Sequence, residues 1–380
     1  YGDHRDLHLS IRRQRQMCIR DSIRPPLDRL DHFEDRLVLA QKNPIHWIDD
    51  MLAGRVQWSR KWDGAPAIFC GRDDKGIYIA KKSIFNKDSK KYYSGEAISE
   101  DLGDTELAKK LQEVFIILED AELNVGELVQ GDLLFARGDI DFGDGRAMFQ
   151  ANTIVYSAPD FGAKTWVGIA WHTNYVNGQA HYGHDIASMI GSPYGLWHFN
   201  AHDDIDQLDS NAIQLLTLLK KEYSSVKQKF NLNSMTIDLW VTYINSKIRE
   251  GTFSDDGNIN GFSDFVIEHM KKSVDQVKKI ETKKKRIDLY APVLKDLPHM
   301  VAVDKMHSLL YKMKLVILKS LNKASSIETY LKTKDGLVPT GHEGYVAINK
   351  HGIDAVKIVD RMEFSYANFS PDVIKGWTKV

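Results

Sequence analysis

The sequence predicts an α+β fold in which an antiparallel-sheet domain is interrupted by a mostly helical insertion. Short apolar segments bounded by Gly, Asp and Asn lie within residues 56–204 and return after residue 336, as strands do. Residues 205–335 instead repeat their apolar side chains at helical spacing. Charge divides the chain in the same way, because residues 271–334 hold 16 Lys and Arg against 6 Asp and Glu, whereas the whole chain has a net charge of −1.

We therefore expect four segments. Residues 1–22 have no apolar periodicity and resemble translated sequencing-adapter read-through, so we expect them to be non-native and exclude them from the fold. Residues 23–204 and 336–380 form the two parts of the sheet domain, and residues 205–335 form the basic helical insertion.

Composition limits the class of protein. Two cysteines, Cys18 and Cys70, indicate no disulfide framework and a reducing compartment, which predicts a cytoplasmic protein. No apolar run is long enough to cross a bilayer. Zinc-ligand spacing, a Walker phosphate loop and a Gly-x-Gly-x-x-Gly fingerprint are all missing from the sequence.

The stretch around Lys61 is the first candidate site. Residues 56–62 and 65–71 predict two strands that flank a tight Asp63-Gly64 turn. This hairpin would put Lys61 at a strand end facing a cleft, where its amine can act as a nucleophile if burial or neighbouring cations lower its pKa. The same pattern also fits an ordinary hairpin with an exposed lysine.

Charged residues in the next elements extend this site. A strand at residues 77–81 is followed by Lys82 and Lys87, which could bind phosphates or form a solvated strand end. An amphipathic helix is expected at residues 104–118, with Asp104 or Thr105 as its cap. Asp132 lies inside an apolar strand, so its carboxylate needs a partner or a polar cleft.

The remaining elements follow from periodicity and from Gly and Pro breakers. Further strands are expected at 125–136, 153–156, 165–171, 344–348 and 355–359, a loop at 174–204, helices at 211–230, 235–249, 262–286 and 303–322, and breaks at 251–261 and 292–298.

The densest basic run lies inside the predicted insertion. It consists of Lys278, Lys279, Lys283, Lys284, Lys285 and Arg286. A basic helical face beside a less basic sheet domain predicts a phosphate backbone as partner, although a solvated lysine-rich helix has the same composition.

Five motifs, in order, resemble those of the covalent nucleotidyltransferase superfamily of ATP-dependent DNA and RNA ligases and mRNA-capping enzymes. They are Lys61-Trp62-Asp63-Gly64, Val129-Gln130-Gly131-Asp132-Leu133-Leu134, Gly168-Ile169-Ala170-Trp171, Glu343-Gly344-Tyr345-Val346 and Val356-Lys357-Ile358. The closest likeness is to poorly characterised phage ligase-like proteins, which share residues 82–87 and 131–135. The resemblance covers residues 30–175 and 336–368 and leaves the insertion unmatched.

The resemblance implies a nucleotidyltransferase fold, with an ATP-grasp-like ligase domain, and ATP and Mg²⁺ as cofactors. Lys61 would attack the α-phosphate of ATP and form lysyl-AMP. Lys357, and more weakly Lys82, would stabilise the phosphate charge, and Gly64 would lie at the nucleotide. Glu343 would bind metal, as would Asp132 unless it contacts the ribose.

One acidic residue and one aromatic residue complete the implied site. Asp63 would orient the lysine or a water molecule. Trp171 would stack on adenine, or be a core tryptophan instead. His172 and His342, next to motif residues, are expected to be structural.

Several features depart from the family pattern. The fifth motif has only Lys357 where the family usually has two lysines, and Pro66 replaces a frequent arginine. The chain ends 23 residues after Lys357, without room for an oligonucleotide-binding domain. An RNA-ligase-like layout, a specialised ligase with an insertion, and a truncated chain all fit this end.

The expected function is ATP-dependent ligation of RNA or nicked DNA by a monomer, in the host cytoplasm if the chain is phage-encoded. Two alternatives use the same residues. One is a nucleotidyltransferase that modifies a protein or an RNA 5′ end, and the other is a non-catalytic nucleic-acid-binding protein on a decayed ligase fold.

Overall fold

The computed structural model describes residues 30–39, 44–162, 164–203, 205–226, 231–323 and 325–376, so the predicted non-native segment lies outside the described residues. The helices are α1 (Arg36–Leu39), α2 (Ile45–Leu52), α3 (Gly95–Leu102), α4 (Glu106–Leu118), α5 (Ile186–Ile190), α6 (Ser210–Ser225), α7 (Ser234–Arg249), α8 (Phe262–Asp275), α9 (Ile280–Asp288), α10 (Ala291–Lys323) and α11 (Arg361–Phe369).

The strands are β1 (Gln57–Lys61), β2 (Ala67–Asp73), β3 (Gly76–Ala80), β4 (Leu128–Phe135), β5 (Ile140–Gly143), β6 (Arg146–Gln150), β7 (Ile154–Pro159), β8 (Val167–Val176), β9 (Gln179–Tyr182), β10 (Leu196–Asn200), β11 (Glu328–Thr333), β12 (Gly336–Pro339), β13 (Gly344–Ile348) and β14 (Ala355–Ile358).

These strands form three sheets. Sheet 1 has the order β1-β13-β14, sheet 2 the order β10-β8-β4-β2-β3 with β9 paired to β8, and sheet 3 the order β12-β11-β7-β6-β5. Of the strand pairs in the described residues, β8 with β10 is parallel and the others are antiparallel. The predicted α+β class with antiparallel sheets is therefore confirmed.

The predicted hairpin around Asp63-Gly64 is wrong. Strand β1 pairs with β13 in sheet 1, whereas β2 pairs with β3 and β4 in sheet 2. The chain crosses between sheets because Asp63 is buried and hydrogen-bonded outside the turn, and because Gly64 packs on the β4 backbone. Strand-length patterns do not reveal which strand is the partner.

One face of sheet 2 is covered by α3, α4 and α5. Their apolar residues share a core with side chains of β2, β4 and β8, such as Ile68, Val129 and Ile169. Helix α4 forms where predicted, and the Thr105 side chain caps it by accepting from Ala108 N at 3.1 Å.

The helical segment is not an independent insertion. Helices α6, α7, α8 and α10 share one core with α1, α2 and the back of sheet 1, including Trp58, Tyr345 and Val356. The helices of this segment end at Lys323, and β11 (Glu328–Thr333), which was predicted to belong to the insertion, is a strand of sheet 3 and pairs there with β12 and β7. The sequence gives the helical period but does not indicate which surface a helix covers.

Other boundaries also differ from expectation. The helix predicted at residues 262–286 is two helices, α8 and α9. The break predicted at 292–298 lies inside α10, which contains Pro298. The loop predicted at 174–204 contains β9, α5 and β10.

A buried charge network ties the segment before α1 to α10 and α11. Lys314 Nζ donates to Glu34 Oε1 at 2.6 Å, and both side chains are fully buried. Arg361 contacts Asp35 at 3.0 Å, and His307 lies 3.1 Å from the same carboxylate. Burial opposes ionisation of Glu34, but Lys314 and Arg361 still hold its pKa down at about 2.

None of the helices in the described ranges combines the length and the apolar character that crossing a bilayer requires.

We expect Lys314→Met to lower the free energy of unfolding by about 3–5 kcal/mol, because it leaves the buried Glu34 carboxylate without its closest cation. Chemical denaturation at pH 7 measures the change. The matched control is Lys312→Met, which removes the ion pair with the largely exposed Asp256 and should cost less than about 1 kcal/mol. Equal losses in the two variants would contradict a structural role for the buried pair.

Candidate active site

A cavity of about 260 Å³ lies between sheets 1 and 2. Sheet 1 contributes side chains of β1, β13 and β14, and sheet 2 contributes side chains of β4 and β8. The lining residues are Leu30, Ser59, Arg60, Lys61, Trp62, Lys82, Gln130, Asp132, His172, Thr173, Tyr175, Tyr182, Ala201, Val346, Ile348 and Lys357. Four predicted site residues, Lys61, Lys82, Asp132 and Lys357, therefore meet in one cavity.

A second cavity, of about 620 Å³, is larger and lies in the helical segment between the start of α7 and α10. It includes none of the predicted site residues. The Asp296 carboxylate in its lining already accepts hydrogen bonds from Asn233 N at 2.8 Å and from Thr236 Oγ1 at 2.6 Å. We therefore place the candidate active site in the smaller cavity.

Lys61 forms an ion pair with Glu343. The β1–β13 register puts Lys61 opposite Gly344, so the Glu343 side chain reaches the Lys61 amine, which donates to Glu343 Oε1. Burial tends to lower the pKa of Lys61, but the carboxylates of Glu343 and Asp132 outweigh it and leave the pKa raised. Lys61 is thus an ammonium ion at neutral pH in this state.

Glu343 is buried beside that ammonium ion. Burial raises its pKa to about 7, even though Lys61 favours the carboxylate. A carboxyl group with a pKa near neutrality, in contact with an amine, can accept a proton from it. The structure thus gives Glu343 a contact with the Lys61 amine that the sequence did not predict.

Asp132 and His172 face each other across β4 and β8. His172 Nε2 lies 3.7 Å from Asp132 Oδ2. The pairing of these strands shifts between Gln130–Thr173 and Gly131–Trp171, so His172 is an extra residue in a β-bulge. The bulge lets His172, Thr173 and Tyr175 all line the cavity. His172, which we expected to be structural, is a cavity residue.

The same bulge explains why Trp171 is a core tryptophan, one of the two alternatives expected for it, and does not take the expected stacking role. Trp171 is fully buried in the core between sheet 2 and its helices, and its indole donates to His198 Nδ1 at 3.1 Å. A regular strand would place Trp171 on the same face as Thr173 and Tyr175, but the extra residue reverses the alternation. Trp171 therefore cannot stack on a base in the cavity.

Tyr175 is the aromatic residue of β8 that lines the cavity. Its ring lies 4.9 Å from the ring of Phe85, and its hydroxyl donates to Gln130 Oε1 at 2.7 Å. The sequence signal was present, because Tyr175 lies two positions from Thr173 on the polar side of the strand. It was missed because the motif resemblance pointed to Trp171.

Lys357 is held by a segment that the sequence did not connect to the site. Lys357 N donates to Asp31 O at 2.9 Å, and Phe33 N donates to Lys357 O at 3.0 Å. Residues 31–33 thus extend sheet 1 beyond β14, and Leu30 reaches the cavity wall. The segment before α1 supports Lys357 through its backbone.

Asp63 and Gly64 do not line the cavity. The Asp63 carboxylate accepts from Asn152 Nδ2 at 3.0 Å, Thr153 N at 2.6 Å and Ile154 N at 2.9 Å. A Cβ on Gly64 would lie 2.6 Å from the Cβ of Asp132. Asp63 therefore cannot contact a nucleotide or a water molecule in the cavity, and its expected role in orienting Lys61 would act through the backbone. Gly64 packs on β4 instead of lying at a nucleotide.

Lys82 enters the cavity from a short 3₁₀ helix, Lys82–Phe85, that follows β3. Its neighbour Lys81 is paired with Asp101 at 3.8 Å, and Lys87 is exposed outside the cavity lining. Of the basic cluster predicted after β3, Lys82 is therefore the cavity residue.

The basic run lies on and just before α9, a helix with no buried residue. Arg286 donates to Ser273 O at 2.6 Å and to Gln276 Oε1 at 3.2 Å. Its guanidinium therefore joins α9 to the end of α8, and these donors are not available to a nucleic acid. Lys285 pairs with Glu281 at 3.2 Å on the surface. Lys278, Lys279 and Lys284 are exposed.

We expect Glu343 to make the protein's stability fall as pH rises. A carboxyl with a folded pKa of about 7 and an ordinary value of 4.5 binds its proton more tightly in the folded state. Its contribution is thus complete below pH 4.5 and lost by about pH 7, a change of up to about 3 kcal/mol. Chemical denaturation between pH 4 and pH 8 should show a flatter profile for Glu343→Gln than for the wild type.

The exposed Glu119→Gln should keep the wild-type profile and serves as the control. If Glu343→Gln also keeps the wild-type pH profile, the Glu343 carboxyl is not a group whose pKa is raised by burial.

Comparison with known proteins identifies the family. Residues 28–372 match the model of a family of unknown function, DUF6267. No curated protein and no solved structure matches the chain. The match runs through the three sheets, the cavity and the helical segment without division, and the chain belongs to the DUF6267 family.

Proposed function

We propose that the protein is an ATP-dependent nucleotidyltransferase that forms a lysyl-AMP intermediate and joins polynucleotide ends. The observation that supports this function most is the convergence of motif residues that are far apart in sequence. Lys61, Lys82, Asp132 and Lys357 line one cavity, and Glu343 contacts the Lys61 amine. Two antiparallel sheets that enclose the cavity agree with the nucleotidyltransferase resemblance at the level of architecture.

The first step joins Lys61 to AMP. The Lys61 amine attacks the α-phosphorus of ATP, a P–N bond forms, the bond to the bridging oxygen breaks, and pyrophosphate leaves. The amine must first lose a proton, and Glu343 is the carboxyl group in contact with it. Glu343 thus holds Lys61 as an ammonium ion in the unloaded site, and once a cation takes this carboxylate the amine can give its proton to water.

The other cavity residues bind the nucleotide. Lys357 and Lys82 provide positive charge for the phosphates. Tyr175 offers an aromatic face for the base, and Gln130 and Thr173 offer polar groups beside it. Tyr175 takes the stacking role that Trp171 cannot fill.

The carboxylates of Asp132 and Glu343 would hold a divalent cation, Mg²⁺. Both influence the charge of Lys61, so they share one neighbourhood, and carboxylates with phosphate oxygens suit this ion. No cluster of three or more His, Cys, Asp or Glu suited to a metal occurs in the described ranges, so the nucleotide would have to supply further ligands. The ion would neutralise phosphate charge.

The polynucleotide partner is proposed from the charge of the helical segment. Lys278, Lys279 and Lys284 are exposed, and Lys283 is half-buried beside them. Such a face attracts a phosphate backbone of RNA or nicked DNA without reading its sequence.

Lys61→Ala should abolish covalent transfer of AMP, because the variant lacks the amine that contacts Glu343. Incubation with α-labelled ATP and Mg²⁺, followed by denaturing electrophoresis, should give an acid-labile labelled band for the wild type and none for the variant. Lys87→Ala, which removes an exposed lysine outside the cavity, should label normally.

Label on Lys61→Ala would refute the assignment of the nucleophile. If the wild-type protein takes no label, the proposed nucleotidyltransferase activity is refuted. That result would favour the non-catalytic alternative, a nucleic-acid-binding protein.

Lys283→Gln/Lys284→Gln should weaken nucleic-acid binding and leave self-labelling unchanged. Each lost phosphate contact should lower the slope of log K against log salt by about 0.9 for duplex DNA or about 0.7 for a single strand. Fluorescence anisotropy with a labelled oligonucleotide at several salt concentrations measures both quantities. Lys109→Gln/Lys164→Gln removes the same charge from exposed positions elsewhere, and an equal effect in that variant would argue against a binding face on α9.

A further inference from the structure

The first turns of α10 have one buried side and one exposed side. Val293, Met300 and Val303 are buried in the core beneath the helix. Leu294 and Val301, seven residues apart and therefore on one side of the helix, are 45% and 61% exposed. Ala291 and Pro298 are exposed beside them. We call this exposed side the α10 face, and it consists of Ala291, Leu294, Pro298 and Val301.

The apolar row of this face continues into the preceding helix. Ile280 and Ile287 of α9 come before Leu294 at the same spacing of seven residues, and both are exposed. A narrow apolar row with this period is typical of a helix that packs along another helix. A helix that lies on a membrane instead presents a wide apolar face, usually with aromatic residues. The row therefore favours a helical partner.

The structure gives this stretch a positive surface that its sequence does not reveal. Residues 289–305 contain two lysines and two aspartates, so their formal charge is zero with histidine neutral. Asp296 and Asp304 are buried, and each accepts a backbone hydrogen bond at 2.8 Å. Lys295 and Lys305 are exposed, and neither forms an ion pair with a described residue. The charge that this stretch presents to solvent is therefore positive.

We propose that the α10 face binds an acidic amphipathic helix of a partner protein. The apolar row receives the apolar stripe of that helix, and Lys295 and Lys305 pair with its carboxylates at the edge of the contact. A second copy of this chain fits less well, because two lysines from each copy would meet without an exposed carboxylate of this stretch between them.

This surface goes beyond the proposed function. The polynucleotide is proposed to contact the lysines on and just before α9, and a phosphate backbone does not require an aliphatic row. The α10 face is a separate surface that follows α9 in the chain.

Binding of a synthetic peptide to the full chain tests the surface. The probe is a fluorescent helix of three heptads with Leu at positions a and d and Glu at positions e and g, where the glutamates oppose its self-association. The wild type should bind this peptide in fluorescence anisotropy. Leu294→Gln/Val301→Gln should bind it at least about tenfold more weakly, because the apolar row is lost. A peptide with Lys at positions e and g should likewise bind to the wild type at least about tenfold more weakly.

The matched control is Leu215→Gln/Leu218→Gln on α6, because these two leucines are 41% and 65% exposed on another helix. It should bind the Glu peptide as the wild type does. Lys295→Gln/Lys305→Gln should weaken binding, and its difference from the wild type should shrink as salt is raised. Thermal denaturation of each variant checks that the fold is retained.

Three results would overturn the proposal: no binding of the Glu peptide to the wild type, equal affinity for the two peptides, or wild-type affinity in Leu294→Gln/Val301→Gln. A dimer in sedimentation equilibrium that this variant abolishes would instead assign the face to a second copy. Co-sedimentation with phosphatidylglycerol vesicles that the variant abolishes would assign it to a membrane.

Oligonucleotide binding separates this proposal from the proposed function. Leu294→Gln/Val301→Gln should bind an oligonucleotide as the wild type does, because it keeps every lysine of α9. A chain that binds the Glu peptide but neither takes label from ATP nor binds an oligonucleotide would refute the proposed function and leave the α10 face standing.

Discussion

The buried carboxylate of Asp63 is the constraint on which the site depends. It is fixed by two backbone amides and one side-chain amide from residues 152–154, at the start of β7. Burial raises the pKa of Asp63, and these donors counteract burial by stabilising the charged form. Because Gly64 packs directly on Asp132, the same short segment leaves sheet 1, contacts sheet 3 and enters sheet 2. Lys61 and Asp132 therefore reach one cavity because of a residue that does not line it.

The helical segment supplies the second support of the cavity. Residues 31–33 bond to the backbone of Lys357, and the next two residues, Glu34 and Asp35, enter the buried charge network with α10 and α11. The helices that we predicted to form an insertion thus support the segment that binds the backbone of Lys357. The family match over residues 28–372 agrees with a single architecture that includes these helices.

The sequence predicted local features, but it did not predict which strands pair or which side chains meet. Helix α4 and its Thr105 cap follow from side chains within a few positions of one another, and so do the strands β3, β4 and β13. The hairpin predicted at Asp63 is wrong because strand length and turn residues do not determine which strand is the partner. The stacking role expected for Trp171 is wrong because one extra residue, His172, reverses the alternation of side chains along β8. An alternating sequence pattern cannot reveal such a bulge. The convergence of Lys61, Asp132 and Lys357 was expected from the order of motifs alone, since nothing in their spacing implies it.

The charge state of Lys61 links the fold to the proposed chemistry. Two carboxylates, Glu343 and Asp132, raise the pKa of its amine, so the resting site holds an ammonium ion that cannot attack. Proton transfer to Glu343 is uphill in this state, because the amine has the higher pKa. Any ligand that neutralises the two carboxylates removes the groups that raise the pKa of Lys61, and the amine then loses its proton more readily. In the proposed reaction, the ion pair therefore keeps Lys61 protonated until the groups that would hold a cation are engaged, so the reactivity of Lys61 would depend on a loaded site.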